Sequence, residues 1–264
     1  MTSAFSDVLA RPWSIAARRA LLHEWTRTGD PRSELLAHEL ALHDGPIIDS
    51  ADDTRVAIDS LLRTHRRAWI GRVGELAETV RIDYGLPAAI GIRGDALLDH
   101  AQELFSIAPI IQVTVTPPVN VAALLKLPQV SQLRGLFITG MVDEDARLVA
   151  KCAALRGLRC AAFKDKIGID GLRQLCSSEF LRDITYIDVT GNPGIHHSHT
   201  QPPCSGHPVL RLEEFRRGED YVAYLLGTSA EPSWSEAAYR SSISYTCEPP
   251  MWPPPDEHLI YSEQ

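Results

Sequence analysis

The chain lacks the long apolar and basic segments that would place it in a membrane or on nucleic acid. None of its 264 residues falls in a run near the roughly 18 consecutive apolar residues that a membrane-spanning helix requires. Residues 1–7 contain no basic segment leading into an apolar core, so no secretory leader is predicted. No cluster of Lys and Arg forms the basic stripe that phosphate contacts require. We therefore expect a cytoplasmic protein that binds neither membrane nor nucleic acid.

Sequence motifs of the common catalytic and cofactor-binding classes are also missing. There is no GxSxG, P-loop or HExxH motif, and the stretch 71–74 (GRVG) is too short for a dinucleotide fingerprint. The five cysteines include no CxxC pair. Cys152, Cys160 and Cys176 occupy positions typical of small buried hydrophobic residues, so disulfide bonds are not expected. These features predict a protein that is not an enzyme and carries no cofactor.

What the sequence does contain is a strand-like phrase, apolar-x-x-apolar-x-apolar, repeated through residues 81–192. Its central apolar residues are 90, 113, 136, 158 and 187, which gives steps of 23, 23, 22 and 29 residues. Such periods are typical of leucine-rich repeats, in which each unit is a short strand followed by a helical return. The intervening patterns predict helices over about 95–105, 119–127, 143–155 and 170–178. The predicted fold is α/β, a leucine-rich-repeat-like solenoid.

The two flanks of this repeat region differ from it and from each other. Residues 1–80 predict a helical N-terminal cap, with helices within 14–43, interrupted at 29–31 (Gly-Asp-Pro), and over about 53–69. Residues 193–264 predict an irregular C-terminal extension with a loop, a short helix and a proline-rich acidic tail. From Glu213 to Gln264 there are ten acidic residues and three arginines, in a chain of net charge -8. This tail either packs on the solenoid as a strap or cap, or is a mobile segment or polyproline ligand.

Three phrases in the same order resemble a bacterial family, the repeat-companion proteins, whose N-terminal domain precedes leucine-rich repeats. Residues 22–35 read LHEWTRTGDPRSEL, where the family has a phrase like ADWLEERGDPRGEF, and Ser33 stands in place of its second glycine. Residues 67–71 (RAWIG) and the first repeat, beginning at 84–87 (YGLP), are the other two phrases. The resemblance covers roughly residues 14–192. It implies the cap-and-repeat architecture and a scaffold role, and it supplies no catalytic residues.

Strand side chains that point away from the core form the candidate partner-binding face, because solenoids bind macromolecules through such surfaces. Phe137 is the expected anchor, since aromatic and arginine side chains dominate interface hot spots. The alternative is an ordinary solvated strand face, or one covered by the C-terminal strap. The predicted partner-binding residues are Arg93, Thr114, Thr116, Phe137, Thr139, Arg159, Asp188 and Thr190, with Gly91 and Ala161 between them.

The sequence predicts non-catalytic binding of a protein partner, as a scaffold or adaptor. One alternative is a metal-binding protein or enzyme with its site in the loop 196–207, because His and Cys at short spacing suit zinc. The candidate ligands there are His196, His199, Cys204 and His207. A further alternative is an immunity or inhibitor protein whose acidic tail suits a basic toxin.

Overall fold

The computed structural model describes residues 3–44, 51–184, 186–189, 192 and 209–211. The N-terminal region is helical, as predicted, and its last helix bends at Gly71, whose φ of 42° and ψ of -130° are not helical. A first helix that the sequence reading missed precedes the predicted ones. The four helices are α1 (Ser3–Ala10), α2 (Ile15–Thr28), α3 (Arg32–Asp44) and α4 (Ala51–Leu76).

A mostly parallel sheet follows, in which the described strands lie side by side in the order of the chain. β1 pairs with β2 in antiparallel fashion, and every later pair is parallel. The α/β class is therefore confirmed. The strands are β1 (Thr79–Asp83), β2 (Leu86–Arg93), β3 (Gln112–Thr116), β4 (Gly135–Val142), β5 (Cys160–Lys166), β6 (Tyr186–Asp188) and β7 (Val209–Arg211).

Short helical segments connect the parallel strands where the apolar pattern predicts them. Two of the returns end in 3₁₀ turns, Pro128–Gln132 and Ala153–Gly157, rather than in longer α-helix. The α-helices are α5 (Gly94–Ile107), α6 (Val121–Leu124), α7 (Asp143–Ala150) and α8 (Ile169–Cys176). None of the described helices combines the length and apolar character needed to cross a bilayer.

The main core lies between one face of the sheet and these helical returns. Ile90, Val113 and Leu136 face Leu97, Leu124 and Val149 across this layer, and each is at most 3% exposed. A second core joins α1, α2 and α3 to the start of β2 through residues such as Leu21, Leu36 and Leu86. Because one strand and one return cannot bury their apolar faces alone, neighbouring units complete each other's core.

The strand register corrects the predicted phase of the fourth unit. Ile90, Val113, Leu136, Ala161, Ile187 and Leu210 lie opposite one another, so the steps are 23, 23, 25, 26 and 23 residues. Ala161 and Phe163 face the core, whereas Cys160 points to the other side. The prediction that Ala161 lies on the outward face was therefore wrong. Leu158 caps the 3₁₀ turn before the strand, as Leu133 does in the preceding unit, so the residue equivalent to Leu136 is Ala161 and not Leu158.

Polar contacts between neighbouring units fix the same register at both ends of the strands. Arg134 donates from Nη1 to the carbonyl of Gly157, and Arg159 donates to the carbonyl of Asp183 at 3.1 Å. At the opposite end, Asp143 Oδ1 accepts a hydrogen bond from the backbone N–H of Gly168 at 2.6 Å. Each contact links one unit to the next along the sheet.

Two of the three described cysteines are oxidised. Cys160 and Cys176 are disulfide-bonded, whereas Cys152 has a free thiol. Cys160 and Cys176 are buried as predicted, at 0% and 4% exposure. The expectation that they are reduced was wrong.

Asn192 is buried and links the residues that follow β6 to β5. Its Nδ2 donates to the carbonyls of Phe163 and Val189, both at 2.7 Å, and its Oδ1 accepts from the N–H of Ile167 at 2.8 Å. A buried backbone group that loses its hydrogen-bond partner costs about 1–3 kcal/mol of stability. Asn192 is that partner for three such groups.

We expect Asn192→Ala to lower the free energy of unfolding by about 3 kcal/mol, measured by denaturant titration, because three buried backbone groups lose their partner. Asn120→Ala is the matched control. Asn120 caps the exposed N-terminus of α6 with one hydrogen bond to Ala123, so it should cost about 1 kcal/mol. Equal losses for the two variants would contradict the assigned role of Asn192.

Candidate protein-binding face of the sheet

The sheet face opposite the helical returns is called the strand face here. It carries most of the residues that the sequence predicts to bind a partner. Its central row is formed by residues that lie opposite one another in successive strands: Thr79, Gly91, Thr114, Phe137, Ala162 and Asp188. Side chains of one row stand about 4.8 Å apart, because that is the spacing of neighbouring strands. The row is therefore a continuous surface built from six strands.

The middle of this row is buried, which corrects the predicted role of Phe137. Phe137 is 3% exposed, and it forms an apolar cluster with Cys160 and Ala162, which are 0% and 2% exposed. Asp188 is also buried, with its Oδ2 atom 3.9 Å from Lys164 Nζ. Phe137 and Asp188 lie on the predicted face, but a partner cannot reach them in this state of the molecule.

The accessible part of the strand face lies at the carboxyl ends of the strands. Arg93 is exposed and forms a two-bond ion pair with Asp95, with Nη2 to Oδ2 at 2.7 Å. This pairing lowers the pKa of the Asp95 carboxyl, chiefly through the side-chain hydrogen bond from Arg93. Thr116 donates from Oγ1 to Glu78 at 3.2 Å, and Thr114 and Thr139 are half-buried beside it. Charged groups of both signs and hydroxyl groups thus line this edge.

Arg159 lies at the other end of the strands and is half-buried. Besides the hydrogen bond to the Asp183 carbonyl, its Nη2 atom lies 3.8 Å from the Asp183 carboxylate. Its neighbour Arg134 stacks over the Trp13 ring, with Cζ 4.1 Å from the ring centre. Burial lowers the pKa of Arg134, and the nearby charge of Arg159 adds to this effect. The structure therefore brings Arg159 into the contacts between units rather than into the exposed edge.

Thr190 and the histidine loop candidates His196, His199, Cys204 and His207 lie outside the described residues. Within the described part of the chain, no three His, Cys, Asp or Glu side chains come together in a way that would hold a metal ion.

Residues of the family-like phrases meet where the helical region joins the sheet. Arg32 stacks over the Trp25 ring with Cζ 4.4 Å from its centre, and Asp30 accepts from the Arg32 N–H at 2.9 Å. Gly85 has φ of 74°, and a Cβ there would lie 3.1 Å from the Arg32 Cβ and 3.2 Å from Trp25. Glycine is thus needed both for the conformation and for the close approach. These residues thus form a tightly packed joint between the helical region and the sheet.

A buried acid at this joint had no signal in the sequence reading. Glu39 on α3 is partly buried, and its Oε2 atom is shielded from solvent without a hydrogen-bond partner among the described residues. Burial raises the pKa of Glu39 from its ordinary value of 4.5 to about 8, and the nearby Asp83 carboxylate adds to the rise. The backbone N–H of Tyr84 and the cations Arg18 and Arg81 oppose it. Glu39 is therefore mostly protonated at neutral pH.

We expect the stability of the protein to fall as pH rises from about 4.5 to about 8, because the folded state holds a proton on Glu39 that the unfolded chain releases. The slope attributable to one such group approaches about 1.4 kcal/mol per pH unit. Glu39→Gln should flatten this dependence and raise the unfolding free energy at pH 8. Chemical denaturation at several pH values measures both effects.

Glu34→Gln provides the control, since Glu34 is an exposed carboxylate on the same helix. It should leave the pH dependence as in the unaltered protein. If Glu39→Gln and Glu34→Gln show the same dependence of unfolding free energy on pH, Glu39 is not the cause of that dependence.

Comparison with protein-family models, curated proteins and solved structures finds no match to this chain.

Proposed function

We propose that this protein is a non-catalytic scaffold that binds a protein partner through the exposed part of the strand face. The parallel strands, added one after another at steps of 23 to 26 residues, support the further proposal of a leucine-rich-repeat-like solenoid. Solenoids of this kind offer extended surfaces to other macromolecules. The proposed membership in the repeat-companion family rests on the three sequence phrases.

The observation that carries the proposal is the in-register row of non-core side chains across the sheet. A strand face that served only as an outer surface could have any polar residues, whereas here hydroxyl groups recur in β1, β3 and β4, with Gly91 of β2 between the first two. Thr79, Thr114, Thr116 and Thr139 present short, rigid side chains, which lose little conformational entropy when a partner covers them. Arg93 stands at the end of this group and supplies a charged contact.

The polar edge also favours a partner whose surface carries both positive and negative charges. Glu78 and Asp95 lie beside Arg93, and Lys164 lies two strands away from Thr116. Mixed charges of this kind give specificity and orientation rather than bulk affinity. A protein surface with complementary charges fits this edge better than a uniformly charged polymer does.

We expect a strand-face variant, Arg93→Glu combined with Thr116→Arg and Thr139→Arg, to lose its partner in affinity capture from the native host's lysate. Introduced charges and bulk at three contact positions should weaken binding by at least about tenfold, equivalent to about 1.4 kcal/mol. The intact protein captured in parallel identifies the partner by mass spectrometry.

The matched control is Arg147→Glu. Arg147 is exposed on α7, on the side of the molecule that carries the helical returns, where it pairs with Glu144. This control should capture the same partner in the same amount. Retention of the partner by the strand-face variant, with its fold verified by circular dichroism, would rule out the proposed face.

A further inference from the structure

Two arginines in the described part of the chain stack on tryptophan rings, and the surroundings of the two stacks differ. Arg32 lies over Trp25, which is 6% exposed, and its Nε donates to Asp30 Oδ1 at 3.0 Å. Arg134 lies over Trp13, which is 44% exposed. The first stack is a closed contact that includes its own carboxylate. The second stack leaves much of its tryptophan ring in water, where another molecule can reach it.

The positive charge of Arg134 has no matching carboxylate. A guanidinium group carries five N–H donors, and Arg134 uses its Nη1 to donate to the carbonyl of Gly157. It forms no ion pair with any carboxylate among the described residues. Burial lowers the pKa of Arg134, and the neighbouring charge of Arg159 adds to this effect, whereas the Asp183 carboxylate opposes it. Arginine nevertheless keeps its charge in proteins, so a carboxylate supplied from outside would be attracted to this group.

A second cation, Arg159, stands beside Arg134 at the amino ends of β4 and β5. The backbone N–H of Arg159 donates to the Arg134 carbonyl at 2.8 Å, so the two residues are neighbours across the sheet. Both side chains reach to the following turn, where Arg134 binds the Gly157 carbonyl and Arg159 binds the Asp183 carbonyl. A Cβ on Gly157 would lie 2.6 Å from Arg134 Nη1, so glycine is needed for this approach. The two guanidinium groups therefore point the same way, about one strand spacing of 4.8 Å apart.

We propose that Trp13, Arg134 and Arg159 form a binding surface for an acidic segment of a protein partner. A carboxylate of that segment accepts hydrogen bonds from Arg134, in the part that Asp30 plays for Arg32. A second carboxylate lies near Arg159, one strand away. The exposed ring of Trp13 supplies apolar contact beside these charges, and tryptophan and arginine are the residues that dominate interface hot spots.

This surface is separate from the exposed edge of the strand face. Arg134 lies directly before β4, whereas Thr139 lies five residues further along the chain, about 17 Å in an extended strand. The exposed edge carries charges of both signs and lies at the carboxyl ends of the strands. The surface around Arg134 lies at their amino ends and selects acidic groups, so it goes beyond the proposed function and does not rest on it.

Binding of fluorescein-labelled hexaglutamate to the full chain, followed by fluorescence anisotropy at low ionic strength, tests this proposal. The chain has a net charge of -8, so it repels an acidic peptide except where a local site attracts it. The expected result is saturable binding that added salt weakens. Arg134→Gln should weaken this binding by about tenfold or more, because it removes the charged donor. Trp13→Ala should weaken it severalfold, and removing this exposed ring leaves the hydrogen bond from Arg134 to Gly157 in place.

The matched control is Arg173→Gln, which removes the same charge from an exposed arginine on α8 that pairs with Asp170 at 3.1 Å. It should bind hexaglutamate as the unaltered protein does. The proposal is overturned if hexaglutamate shows no saturable binding, or if Arg173→Gln weakens binding as much as Arg134→Gln. It is also overturned if Trp13→Ala, with unchanged circular dichroism, binds as the unaltered protein does.

Competition distinguishes an acidic protein segment from a free anion. Free glutamate should displace the labelled peptide at a lower concentration than inorganic phosphate does. The reverse order would indicate a site for free phosphate and would contradict the proposal. No partner of the strand face takes part in these measurements, so failure here is separate from failure of the proposed function.

Discussion

Parallel strand pairing in a single register is the constraint on which the rest of this structure depends. Each pair of strands places equivalent residues of successive units opposite one another, from Ile90 in β2 to Leu210 in β7. The helical returns must therefore begin and end at the same level, although the units differ in length. The returns differ in structure, and two of them end in 3₁₀ turns. The same register produces the row of non-core residues on the strand face.

Polar side chains reinforce this register because backbone pairing alone leaves the ends of the units unsatisfied. Arg134 and Arg159 bind carbonyl groups of the following turn, and Asp143 binds the start of α8. Asn192 does the same for three backbone groups near the last described turn. The charged residues predicted to bind a partner thus fall into two groups. Some make contacts between units of the fold, and others lie on the exposed edge of the strand face. Arg159 belongs to the first group and Arg93 to the second.

The joint between the helical region and the sheet combines tight packing with an ionisable group. Trp25, Arg32 and Gly85 approach so closely that a larger residue at position 85 is excluded. Glu39 lies nearby with a raised pKa, between the Asp83 carboxylate and the Arg18 and Arg81 cations. The helical region packs against the start of β2 at this joint, and the raised pKa of Glu39 places a titratable group within it. The residues of this joint are separate from the exposed residues of the strand face, such as Arg93.

The sequence by itself determined the α/β class, the helical N-terminal region, the positions of the four helical returns and the core residues of units one, two, three and five. These follow from local apolar periodicity, which is written in consecutive residues. Only the tertiary structure decided the phase of the fourth unit, because Leu158 and Ala161 both enter the core and no local pattern tells which one begins the strand. It also decided that Phe137 is buried and that Cys160 is oxidised. Apolar periodicity predicts neither, because it reports only the order of apolar and polar residues along the strand.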